Sequence, residues 1–142
     1  MANPRAKVRG GGDFDGLRRA ATALSESAED FADYAVQDIR RATESLAKVE
    51  SDPLDRAPLD VIFSIIHNFK GTGRLFDYDL LTRISESLCD YLRNRAAKPI
   101  KNMNVVRIHL AALDFVVENQ IRGQGGEAGK RLIAKLDALR SD

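Results

Sequence analysis

The sequence predicts an all-α fold: an antiparallel four-helix bundle with additional short helices at its N-terminal and C-terminal ends. Three observations carry this expectation. Apolar residues recur at spacings of three and four over most of the 142 residues. No stretch alternates apolar and polar residues with the two-residue period of a strand, and no hairpin dipeptide stands between such stretches. Breaks at Pro53, at Lys98-Pro99 and at Gly123–Gly126 leave four long helices with short connections, which favours antiparallel neighbours.

The elements follow in order. Residues 1–12 contain Pro4, scattered Arg and Lys, and Gly10-Gly11-Gly12, and read as a flexible tail ahead of one domain over 13–142. A short amphipathic helix is expected from Phe14 to about Ser25, with Leu17, Ala20, Ala21 and Leu24 on one side. A longer one follows, starting near Ser27 or Ala28, where Glu29 and Asp30 suit the positive end of the helix dipole. Its stripe is Phe31, Ala35, Ile39, Ala42, Leu46 and Val49, and it stops before Pro53. The third helix begins around Pro58, a residue tolerated in a first turn, and its stripe is Ile62, Ile66, Phe69, Gly73 and Phe76. Asp77-Tyr78-Asp79 offers turn and cap chemistry. The fourth helix carries Leu80, Ile84, Leu88, Tyr91 and Leu92. The fifth, about Met103 to Arg122 with Asn102 as its cap, is apolar on two stripes: Val105, Ile108, Ala112 and Phe115, then Val106, Leu110, Leu113 and Val117. The Gly123–Gly126 run ends it, and a last helix from Ala128 to Leu139 uses Leu132, Leu136 and Leu139.

Composition narrows the function. The formal net charge is +1, which argues against a general nucleic-acid or membrane-surface protein. The single cysteine, Cys89, excludes an intramolecular disulfide and reads as a packing residue in a reducing compartment. Basic residues in Met1–Gly12 are followed by no apolar core of a secretory signal, so the cytoplasm is the expected location. The two histidines are too few for a zinc site without thiols, and no metal site is expected. The Gly123–Gly126 run lacks the Lys-Ser/Thr ending of a phosphate-binding loop. No kinase or nucleotide-binding signature appears, so no autokinase activity is expected.

The sharpest signal is Ile66-His67-Asn68-Phe69-Lys70-Gly71-Thr72-Gly73. His67, Lys70 and Gly71 stand at i, i+3 and i+4, on one helix face and beside the apolar stripe rather than within it. That places His67 at the surface. An imidazole is partly neutral at physiological pH and attacks phosphorus without a dedicated base. Lys70, one turn on, can stabilise phosphoryl charge. Gly71 costs roughly 1 kcal/mol of helix stability relative to alanine, which suggests a packing or close-approach reason for it, docking of another protein being one, and Gly73 on the core stripe suggests close helix packing. His109, between Ile108 and Leu110 on a largely buried helix, reads as a packed or hydrogen-bonded histidine. Arg83 and Arg93-Asn94-Arg95 read as solvated faces. Arg74, two turns from His67, is the best exception.

Residues 61–92, and His67-Asn68-Phe69-Lys70-Gly71-Thr72-Gly73 above all, resemble the core motif of histidine phosphotransfer domains. In that family a histidine is followed by lysine and glycine at these offsets, then by a small hydroxylated residue and another small one, matched by Thr72 and Gly73. The match covers about a quarter of the chain. One departure stands at Asp77, where the family often has a glycine after an aromatic matching Phe76. The resemblance implies a four-helix bundle that carries a phosphoryl group on His67 between receiver-domain aspartates, as a carrier rather than a free-standing enzyme. It implies charge stabilisation by Lys70 and a docking face of Gly71, Thr72 and Arg74. Partners would be response-regulator receiver domains and a hybrid histidine kinase, with magnesium held by the receiver and no cofactor here. Two other readings stay open: a receiver-binding adaptor bundle without chemistry, and a phospho-accepting domain that works with a separate histidine kinase.

Overall fold

The computed structural model describes residues 10–93, 100 and 102–140, and the side chains of these except 10–14 and 21–26. The fold is all-α, with no strand among the described residues. Helix α1 spans Gly10–Ser51, α2 Ala57–Thr72, α3 Asp79–Arg93, α4 Met103–Glu118 and α5 Gly126–Arg140, and a 3-10 turn, Gly73–Phe76, prolongs α2. Helix α1 packs on α2 and α4, α2 on α3, and α3 on α4, while α5 lies against α3 and α4.

Several boundaries differ from expectation, the start of α5 at Gly126 rather than Ala128 being the smallest. The two helices expected before Pro53 are one helix of 42 residues, about 63 Å long. Neither Gly nor Pro occurs between Gly16 and Pro53, so the hydroxyl and acidic residues at 25–30 had no breaker to act with. The same helix takes in Gly10, Gly11 and Gly12, which were expected in the tail. The rest of that tail, the side chains of Phe14, Ala21 and Leu24, and Asn94, Arg95 and Lys98-Pro99 fall outside what the structure describes.

Helix α4 ends at Glu118, four residues earlier than expected. Gln120 takes a left-handed conformation (φ 49°), its N–H donates to the Val117 carbonyl, and the Ile121 N–H donates to that of Val116. This is the paired closure of a Schellman motif, with Ile121 folding back on the core. Asn102 caps the other end, its Oδ1 accepting from the Asn104 N–H at 3.0 Å.

The α-helical part of α2 stops at Thr72 rather than running to Phe76. Gly73 is buried, and a Cβ there would drive into the Thr82 hydroxyl and crowd the Tyr78 carbonyl. Without one, the chain tightens and turns: the Tyr78 N–H reaches the Gly73 carbonyl at 2.9 Å. Asp77 closes the turn with φ 64°. This is the left-handed conformation that glycine adopts freely and aspartate tolerates.

The apolar stripes face the core as expected on α1 from Ala28, on α2 and on α3, including Cys89, with Phe31 and Phe76 half-buried at its margin. Burial pushes the Cys89 thiol up, away from the reactive thiolate. On α4 the first expected stripe is only half inside: Val105 and Ala112 are buried, whereas Ile108 and Phe115 are exposed. Helices α1, α3 and α5 do not reach round to that side. An aromatic cluster locks the 3-10 turn to α1. Phe31 stacks on Phe76 at 4.7 Å, meets Phe69 edge-on at 6.4 Å and tilts against Tyr78 at 5.8 Å. Arg122 lies 4.8 Å over the Tyr78 ring and donates to the Phe76 carbonyl at 2.8 Å.

Gly73→Ala should therefore destabilise the fold by about 1–3 kcal/mol in denaturant unfolding. Adding Thr82→Ala, which removes the obstructing hydroxyl, should restore most of that loss. Additive losses in the double variant would show that the Gly73–Thr82 contact does not set the spacing.

Candidate functional site

The site is the solvent face of the last two turns of α2. Ile62, Ile66 and Phe69 are buried, so the helix commits that side to the core. His67, Asn68 and Gly71 are left on the outside, with Lys70 half-buried at the margin. His67 makes no hydrogen bond among the described residues. Its one contact of note is a near-parallel stack on Phe63, ring centroids 5.9 Å apart and planes 15° from parallel.

Lys70 has no carboxylate within ion-pair distance among the described residues, unlike its neighbours. Arg74 pairs with Glu86 at 3.7 Å, Arg83 with Glu86 at 3.1 Å, and Arg93 with Asp90 at 3.4 Å. The Lys70 ammonium lies close enough to α3 to act on the Cys89 thiol. A half-buried cation that is not neutralised beside an exposed imidazole is suited to meet an incoming anion.

A Cβ on Gly71 would meet nothing within 4 Å, so no packing inside the chain requires glycine there. Gly73 is the reverse case, as described above. Thr72 is half-buried and donates its hydroxyl to the Asn68 carbonyl at 2.8 Å, which commits its proton to its own helix. Arg74 is exposed. It leans to α3 through Glu86 and lines a groove of about 480 Å³ with Leu80, Arg83, Lys130 and Ile133. The structure thus brings His67, Lys70 and Gly71 onto one surface, and sets Arg74 at its edge. Phe63 was missed in the sequence. An aromatic four residues before a histidine on a helix was the available signal.

His109 is fully buried. Its Nδ1 lies 2.7 Å from the Val105 carbonyl, which can only accept, so Nδ1 carries the proton. Nε2, at 3.0 Å, and Asp137 Oδ1 on α5, at 3.2 Å, then share the single proton of the Ser87 hydroxyl. Burial pushes the imidazole below the usual histidine range, partly offset by the Val105 hydrogen bond. No group of three or more His, Cys, Asp or Glu among the described residues could hold a metal ion, and no helix among them is long and apolar enough to cross a membrane.

Compared with protein-family models, with curated proteins and with solved structures, the chain matches none.

Two outcomes follow from this geometry. Gly71→Ala should raise unfolding stability by about 0.5–1 kcal/mol, because alanine gains helix propensity and meets no clash. A destabilised variant would mean that a neighbour does occupy that space. His109 gives a pH signature. Its folded pKa is depressed, so the unfolded chain binds more protons just below about pH 6.5. The stability due to neutral His109 is complete above that pH and is lost as the pH falls from there towards the folded pKa. His109→Gln should flatten urea-unfolding stability as the pH falls below about 6.5. An unchanged slope would assign the acid sensitivity to other groups.

Proposed function

We propose that this chain is a histidine phosphotransfer protein, and that α1 to α4 form the antiparallel four-helix bundle of that family. The observation that carries the reading is the exposed imidazole of His67, without a hydrogen bond among the described residues, with a Lys70 that has no ion-pair partner among them and an open Gly71 on the same face. The packing of α1 on α2 and α4, with α3 closing the ring, supports the bundle.

In the proposed reaction a receiver presents its phospho-aspartate to α2. A lone pair on a His67 ring nitrogen forms the N–P bond as the acyl P–O bond breaks. The electron pair leaves with the aspartate carboxylate, and the ring proton goes to solvent. Lys70 balances the negative charge spread over the phosphoryl oxygens during transfer. Gly71 lets the partner's loops come within contact of the helix backbone. The second transfer, to another receiver, runs the same step in reverse. Magnesium belongs to the receiver. Thr72 and Arg74 complete the docking face, Arg74 after exchanging Glu86 for a partner carboxylate.

Incubation with a phosphorylated receiver and magnesium should label His67 alone, with a label that is acid-labile and stable in alkali, as a phosphoramidate is. His67→Gln should abolish it, and ATP alone should give none. Lys70→Ala should slow transfer by about ten- to a thousandfold without abolishing it. Gly71→Ala, though more stable, should dock receivers more weakly. Tight receiver binding with no label on His67 would replace transfer by the adaptor reading.

A further inference from the structure

Phe63 has no part in the motif, yet its ring is the platform on which the His67 imidazole rests. Phe63 is half-buried and packs against the core cluster, so its own position is fixed from below. It also lines a shallow depression with Arg56, Leu59, Asp60, Leu92 and Arg93. His67, four residues on, is exposed and has no hydrogen bond among the described residues to hold its ring. An exposed histidine ordinarily samples several rotamers on a fast timescale. Attack on phosphorus needs a ring nitrogen aligned with the bond that breaks, and freezing that orientation beforehand speeds the step. Offset stacking of two aromatic planes supplies such a restraint and survives phosphorylation, since the phosphorylated imidazole is still planar and aromatic.

The geometry points to Phe63 as a positioning residue for His67, holding the imidazole in the orientation from which its nitrogen meets the phosphoryl group. This role rests on the phosphotransfer reading but can be tested without a receiver. Potassium phosphoramidate phosphorylates histidine directly: the ring nitrogen forms the N–P bond, the P–N bond of the donor breaks, and ammonia leaves with the electron pair and the displaced proton.

The experiment compares wild type, Phe63→Leu and Phe63→Tyr in the full chain. In NMR spectra the His67 and Phe63 ring protons of wild type should show mutual NOEs and His67 a single χ1 rotamer, kept by Phe63→Tyr and replaced by rotamer averaging in Phe63→Leu. Phosphorylation by phosphoramidate, and transfer from a phosphorylated receiver at saturation, should fall by about two- to tenfold in Phe63→Leu and recover in Phe63→Tyr. KM for the receiver should stay unchanged. Rotamer averaging of His67 in wild type, with no NOE to the Phe63 ring, would overturn the proposal whether or not the leucine variant folds. So would equal phosphoramidate rates in all three proteins, or a loss confined to KM, which would make Phe63 a docking residue. If no receiver transfers to His67 while the phosphoramidate rate still depends on Phe63, the phosphorelay reading falls and the positioning role stands.

Discussion

Burial of one side of α2 is the constraint from which the site follows. Ile62 and Ile66 are wholly inside and Phe69 nearly so, held between α1 and α3. Fully burying such side chains stabilises the fold by about 1.5–3 kcal/mol each, so the rotation of this helix about its axis is not negotiable. Once that rotation is set, residues 67 and 71 have nowhere to point but outward. The exposure of His67 needs no dedicated device, because it is the geometric complement of the core.

The end of α2 is set with equal firmness, by different means. Gly73 removes the side chain that would hold the 3-10 turn away from α3, and Asp77 reverses the chain. Phe31 then fastens the turn to α1 through three aromatic partners. Burial drives the Tyr78 hydroxyl's pKa upward, against the pull of Arg122, so the ring stays neutral in this cluster. Two neighbouring glycines thus act in opposite ways: Gly73 serves the packing of the chain on itself, while the space over Gly71 is left for something else.

Periodicity made the helices legible because a buried stripe leaves a regular trace, and α2, α3 and the second half of α1 follow it residue by residue. It failed at boundaries decided by backbone geometry. Gln120 closes α4 in a conformation usually taken by glycine or asparagine, so nothing in the local sequence marked the stop. The continuous α1 was hidden by Ser25, Ser27 and Glu29, which look like a helix start but do not enforce one. Ile108 and Phe115 illustrate the reverse error, since an apolar residue on a helix need not face a neighbour. At the site, His67, Lys70 and Gly71 were readable from spacing alone. The stack on Phe63 was not, because it depends on which rotamer each ring adopts rather than on which residue occupies which position.

The connection between α4 and α5 has the composition of a disposable loop, with two glycines, Gly123 and Gly125, and mostly exposed residues. Yet Gly123 donates its N–H to the Asp77 carbonyl at 2.6 Å and accepts the Leu80 N–H at 2.8 Å, stitching this loop to the turn that ends the histidine-bearing helix. For circular permutation the two outwardly similar loops are therefore unequal. Opening the chain at residues 52–55 severs only local bonds of the Asp52–Asp55 turn. New termini near Gly123 would unfasten the far end of α2, although the cut itself lies 46 residues beyond Asp77.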